Sequence, residues 1–308
     1  MKKLILNLIL ILLISGCVGS DIFSLFGGKK TEIKEFPSDV IVIQNINVLP
    51  SPPINTDDQF SVSFELNNQE EKDNVDINYE LLDDGLCRTD SITLGTPVSI
   101  DDFVPGQTEF IEWTFDTPSS MDIGYLTTKC PIRFKVGYSF EAFSEIEVNV
   151  ISDDRYNQLK QTGNFTTITP VIVVGRGPIK IYMEFGAALP IRTARTLPVY
   201  VTVEDKGAGL LTEIPERKLV IEIPDDFTFE LGSCGGRFEC STVDGANICY
   251  NIQPLSIIKR KTPAFKCSFT TPTADDVVLE QTYFISAFFN YDYEVIEEVD
   301  VEIKPLPV

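Results

Sequence analysis

Phe60-Ser61-Val62-Ser63-Phe64-Glu65-Leu66-Asn67-Asn68 puts an apolar side chain at every second position, and Val199-Tyr200-Val201-Thr202-Val203-Glu204-Asp205 does so again 137 residues later. Period two is the strand repeat, because successive side chains of an extended backbone point to opposite faces. Val40, Val42, Ile46 and Val48 extend the pattern on one side, and Val75, Ile77, Tyr79 and Leu81 on the other. These runs are rich in β-branched and aromatic residues and are separated by turn residues, as in a sandwich. The expected fold class is therefore all-β, built of β-sandwiches.

The second half of the chain repeats the first. Thr108 to Pro118 matches Thr262 to Pro272 at an offset of 154, and Val136, Tyr138, Phe140, Ile146, Val148 and Val150 match Phe289, Tyr291, Tyr293, Val299, Val301 and Ile303 at 153. The offset grows by about 16 residues between the early and late matches, and surface loops are where length changes are tolerated. Domain 1 is accordingly placed at 37–151, and domain 2 at 171–305 with an insertion in the Gly- and Cys-rich stretch from Gly232 to Asn251. The linker 152–170 is either plain or a short helix, with Ser152 as cap, Asp153 and Asp154 in the first turn and Gly163 as the stop. The sequon Asn164-Phe165-Thr166 follows, making Asn164 a candidate glycosylation site.

The amino terminus sets the expected compartment. Lys2 and Lys3 precede the apolar run Leu4 to Ile14, which is too short to cross a bilayer of about 30 Å and reads as a signal peptide over 1–16. Ile14-Ser15-Gly16-Cys17 resembles a lipobox, so Cys17 is the candidate lipidation site, with a tether over 17–36. This predicts a protein held on the outer face of the cell membrane, with the first copy nearest the lipid. The other six cysteines form an even set, as expected where disulfides persist.

Cys87 and Cys130 are alone in domain 1 and should pair. In domain 2, Asp244-Gly245 is a two-residue hairpin signal that sets Val243 opposite Ala246 and Cys240 opposite Cys249. Cys240 and Cys249 should bridge there, because side chains sit closest in a non-hydrogen-bonded pair. By elimination Cys234 joins Cys267. The spacing of these four is unlike a zinc knuckle, so no metal is expected.

The chain has 308 residues, no histidine and a formal net charge of −21. Without histidine there is no Ser-His or Cys-His nucleophile pair and no imidazole metal site. Excess acid argues against nucleic acid, whose binding needs Lys and Arg to displace counterions. The adjacent carboxylates, Asp57-Asp58, Asp83-Asp84, Asp101-Asp102, Asp225-Asp226, Asp275-Asp276 and Glu297-Glu298, would point to opposite faces of a strand and so build no acid and base couple. Their expected role is loop solubility, and no Asp-x-Asp-x-Asp-Gly calcium loop occurs. Neither a catalytic residue nor a cofactor is expected. Charge is uneven, with 5 basic and 21 acidic residues over Ser38 to Ile151 against 13 and 20 over Val171 to Lys304. The basic run Lys259-Arg260-Lys261 is a candidate contact patch for the acidic domain of a neighbouring molecule.

The lipobox-like Cys17, the short tether with Gly27-Gly28-Lys29-Lys30 and the strand patterns beginning near Pro37 together resemble lipobox-bearing surface proteins of archaea. Within domain 1, Pro50-Ser51-Pro52-Pro53-Ile54 followed by Phe60 to Asn68 is similar to the first strands of CARDB-like adhesion domains; domain 2 follows that pattern less closely, with Asp205-Lys206-Gly207 at the strand end. The resemblance implies two tandem immunoglobulin-like β-sandwich domains behind a signal peptide and flexible tether, and a scaffold, adhesion or assembly role through contacts with other surface proteins or a second copy. The alternative is a solute- or glycan-binding lipoprotein serving a transporter, which would need an aromatic-lined cleft.

Overall fold

The computed structural model describes residues 32–229, 232–243 and 246–306. The signal peptide, Cys17, the tether as far as residue 31 and the turn residues Asp244 and Gly245 lie outside the described residues. What is described is an all-β sandwich architecture of twenty strands and one helix.

The first sandwich stacks a three-stranded sheet, β2 (Ile41–Leu49), β4 (Gln59–Asn68) and β7 (Thr108–Asp116), on part of a much larger sheet. Alternation explains the packing. Phe60, Val62, Phe64 and Leu66 of β4 all point inward and are buried, and Phe64 stacks on Phe134 at 4.3 Å. Trp113 sits edge-on to Phe64 and Phe134, a core residue. The second sandwich stacks β10 (Ile179–Phe185), β12 (Thr196–Asp205), β19 (Phe265–Thr270) and β15 (Thr228–Phe229) on the remainder of that same large sheet.

Two long strands make the large sheet continuous. β8 (Thr128–Ile151) and β20 (Glu280–Lys304) pair antiparallel over 24 consecutive positions, from Glu280 opposite Ile151 to Ile303 opposite Thr128, with no register shift. At about 3.3 Å per residue the ribbon is about 80 Å long. Even-numbered residues of β8 and odd-numbered residues of β20 face inward along nearly the whole length, so one face of one ribbon floors both sandwiches. The other face carries cross-strand ion pairs, Lys129 with Asp300 at 2.7 Å and Lys135 with Glu80 and Glu294 at 2.7 and 2.8 Å.

This arrangement corrects the expectation that each domain owns its strands in chain order. β8 starts in the first sandwich, where Ile77 to Leu81 of β5 (Val75–Asp83) pair with Tyr138 to Phe134, and ends in the second, where β9 (Val171–Val174) pairs with Ser144 to Ile146. β20 runs the opposite way, from β14 (Leu219–Ile223) in the second sandwich to β3 (Ile54–Asn55) in the first. The tether expectation is corrected too. Glu32–Glu35 is strand β1, paired parallel to β9 at the edge of the second sandwich. All four of its residues are exposed, so backbone pairing rather than apolar burial holds it.

Repeat offset and pairing register share one fixed point, Ser139 opposite Asp292, where the Ser139 hydroxyl donates to Asp292 Oδ1 at 2.6 Å. The sandwiches are thus related by a pseudo-twofold axis through that pair. Matched hydrogen bonds support it. Thr117 Oγ1 donates to the carbonyls of Asn55 and Asp58, and Thr271 Oγ1 to those of Arg192 and Arg195. Thr56 N–H donates to Lys304 O and Thr193 N–H to Ile151 O. β3 pairs parallel to the end of β20 and β11 (Ile191–Arg192) parallel to the end of β8.

Between the halves, Ser152 caps helix α1 (Asp153–Gln161), accepting from Arg155 N–H, with the two acidic residues in its first turn. The extra residues of the second half lie between β14 and β17 (Ala246–Asn251) and supply β15 and the edge strand β16 (Phe238–Val243). β16 and β17 pair with Cys240 opposite Cys249 and Val243 opposite Ala246. The disulfides are Cys87 to Cys130, Cys234 to Cys267 and Cys240 to Cys249.

Candidate functional site

The waist, where the two sandwiches meet around the pseudo-twofold axis, gathers a set of buried polar groups around Asp205. Asp205, at the end of β12, has a fully buried side chain and accepts from the Tyr293 hydroxyl at 2.9 Å and from Gly207 and Leu211 N–H at 3.1 Å each. Arg260 lies 3.6 Å from the same carboxylate and donates to the carbonyls of Gly207 and Gly209, fastening their loop. A Cβ at Gly209 would collide with the Glu294 carbonyl, so only glycine lets this loop lie against β20. Tyr138 and Tyr293 pack ring to ring at 5.7 Å, and burial pushes both phenols well above their ordinary pKa. A small crevice of about 140 Å³ opens beside them, between Asp39, Ile41, Pro178 and Ala208. Asp205, the Tyr293 hydroxyl, Arg260 and the 207–211 loop are spent on one another, so together they act as a clamp.

A second set of contacts straps the start of the described chain to the second sandwich. Lys180 of β10 is wholly buried, and its ammonium donates to the carbonyls of Phe36, Pro37 and Gly175 at 2.6, 3.2 and 2.8 Å. Three donors meet three acceptors, yet burial still pulls its pKa down to about 8. Glu35 accepts from Tyr182 at 3.0 Å and Lys206 at 3.3 Å. Arg176 crosses to the first sandwich, donating to Gln69 O and the Glu71 carboxylate.

The lowered Lys180 pKa fixes a pH dependence. The unfolded chain holds this proton to about pH 10.5 and the folded chain to about 8, so folding releases a proton in that window. Stability should rise from pH 8 towards 10.5 relative to Lys180→Met. Parallel urea titrations of both proteins check this; a constant difference across that range would refute it.

The basic run divides. Arg260 belongs to the waist, Lys261 pairs with Glu204, and Lys259 is exposed on a left-handed turn. Asn164 is exposed just beyond α1, next to Phe165, which packs edge-on to Tyr156. Cys234, Cys240 and Cys249 bring three sulfurs within 4.8 Å, but all three are held in disulfides. Of the paired carboxylates, Asp101-Asp102 and Glu297-Glu298 lie in strands, whereas Asp225-Asp226 and Asp275-Asp276 lie in turns. Asp226 accepts from Tyr283, while Asp276 caps its own turn, where the Thr273 hydroxyl and N–H hold its carboxyl below the usual range. Sequence reasoning missed Asp205, Tyr293, Lys180 and the Gly207 to Gly209 loop. The one available signal was an Asp followed by Lys-Gly-Ala-Gly where the first copy has Asn68-Gln69-Glu70-Glu71.

Fold and clamp together define a disulfide-bonded, all-β double sandwich. No protein-family model matches the chain, and no curated protein matches it. Among solved structures, red sea bream transglutaminase aligns with 86% of this chain at 9% identity and a TM-score of 0.18, and this chain spans 31% of its length. The B domain of a biofilm-associated protein aligns with 85% of this chain and 74% of its own at 8% identity and a TM-score of 0.15.

Proposed function

We propose that this chain is a lipid-anchored, extracytoplasmic scaffold or adhesion protein acting through protein contacts of its two sandwiches. The shared β8–β20 ribbon carries the reading. It joins two filled cores into an elongated unit about 80 Å long, a form suited to holding binding surfaces at a set distance from a membrane. Three disulfides suit an oxidising compartment. The CARDB-like strand pattern of Pro50 to Asn68 points towards adhesion.

Labelling cells with a radioactive lipid precursor tests the anchor: the wild-type protein should take up label and Cys17→Ser should not. Equal labelling of both would remove the anchor from the reading. Cross-linking on intact cells followed by mass spectrometry then identifies what the sandwiches touch, and recovery of a transporter complex instead of surface proteins or a second copy would overturn the scaffold assignment.

A further inference from the structure

The chain enters the second sandwich before it enters the first. β1 runs from Glu32, opposite Val171, towards the waist at Glu35, opposite Val174, and only after Pro37 does the backbone cross into β2 of the first sandwich. Through β9, Glu32 lies at about the level of Glu147 on β8. The free end of the second sandwich, where Ile151 pairs with Glu280, is four residues further along, about 13 Å. The free end of the first, where Thr128 pairs with Ile303, is nineteen residues the other way, about 60 Å.

Fifteen residues separate Cys17 from Glu32, and fully extended they reach about 50 Å. A chain anchored at Cys17 can therefore rest the end of its second sandwich on the lipid, and it cannot stand on the end of its first.

Overall charge separates the two sandwiches. Divided at the pseudo-twofold axis, the first sandwich (38–139 and 292–306) has 6 basic and 24 acidic residues, net −18. The second (32–37 and 140–291) has 15 basic and 21 acidic, net −6. One pair of equivalent loops differs in sign: Asn55, Asp57 and Asp58 at the first end correspond to Arg192, Ala194 and Arg195 at the second, where Arg192 pairs with Asp153. The other pair is acidic at both ends, with Asp122 at the first and Asp275, Asp276 and Glu280 at the second. Exposed apolar side chains occur at both ends, Met121 and Leu126 at the first and Val278 and Leu279 at the second, so apolarity alone does not choose.

From tether reach we infer that the end of the second sandwich, formed by Arg195, the exposed Val278 and Leu279 and the exposed Lys160 of α1, docks on the phospholipid headgroups of the anchoring membrane. The acidic first sandwich then projects outward, reversing the order in which the domains occur along the chain. This inference rests on lipidation at Cys17.

Photo-crosslinking tests it on the full-length lipidated protein in vesicles of phosphatidylcholine and phosphatidylglycerol. A benzophenone amino acid at Val278 should give several-fold more lipid adduct than one at Met121. Combining Lys160→Glu with Arg195→Glu should lower the Val278 adduct while leaving flotation with vesicles intact. Flotation with equal or greater adduct at Met121 overturns the orientation alone. Failure of the wild-type protein to float overturns the anchor and this inference with it.

Discussion

Phe269→Ala, in the second sandwich, is expected to lower the unfolding midpoint reported by Trp113 in the first. Phe269 is fully buried on β19, and truncating a buried phenylalanine costs about 3–5 kcal/mol. In tandem domains joined by a linker that loss would stay local. Here each long strand lies half in one core and half in the other, and the waist clamp and Arg176 add contacts across the boundary. Melting the second sandwich removes the support of β8 beyond Ser139 and of β20 before Asp292, and the first loses its floor with them. Trp113 is the only tryptophan, so its fluorescence reports the first sandwich, while far-ultraviolet circular dichroism reports both. The two guanidinium transitions should coincide and shift together. An unmoved Trp113 transition beside a shifted dichroism curve would mean that the sandwiches unfold independently.

Asp205→Ala should be about as damaging, at roughly 3–5 kcal/mol. The substitution leaves the Tyr293 hydroxyl and two half-buried N–H groups without their acceptor and the Arg260 guanidinium without its counter-charge. Asp205→Asn keeps an acceptor oxygen and loses only the charge, and the first copy has Asn68 at the equivalent position, accepting from Glu70 N–H. It should cost about half as much. Chemical denaturation of the three proteins measures both differences, and equal losses would show that charge, rather than hydrogen bonding, holds the clamp.

What was legible in the sequence was the part governed by local rules. Alternation in Phe60 to Leu66 and Val199 to Val203 specified β4 and β12, and the Asp244-Gly245 signal gave the register that sets Cys240 opposite Cys249. The exchange of strands was hidden because alternation looks the same whether a strand stays in one core or passes into the next. A clue was present all the same. From Cys130 to Val150 and from Tyr283 to Ile303 neither run contains a turn-forming pair, a length far beyond the usual five or six residues of a strand. β1 was hidden for a different reason: its pairing is made by backbone groups, which every sequence shares. The clamp at Asp205 depends on residues 88 apart meeting across the waist, and neither local pattern nor composition reports that distance.

The ribbon also has a mechanical meaning. Tension applied between the two free ends of the ribbon would run along β8 and β20, not across them. Antiparallel strands pulled lengthwise share the load over all their inter-strand hydrogen bonds at once, whereas strands peeled from one end break them singly. Tension along the ribbon therefore loads it in shear.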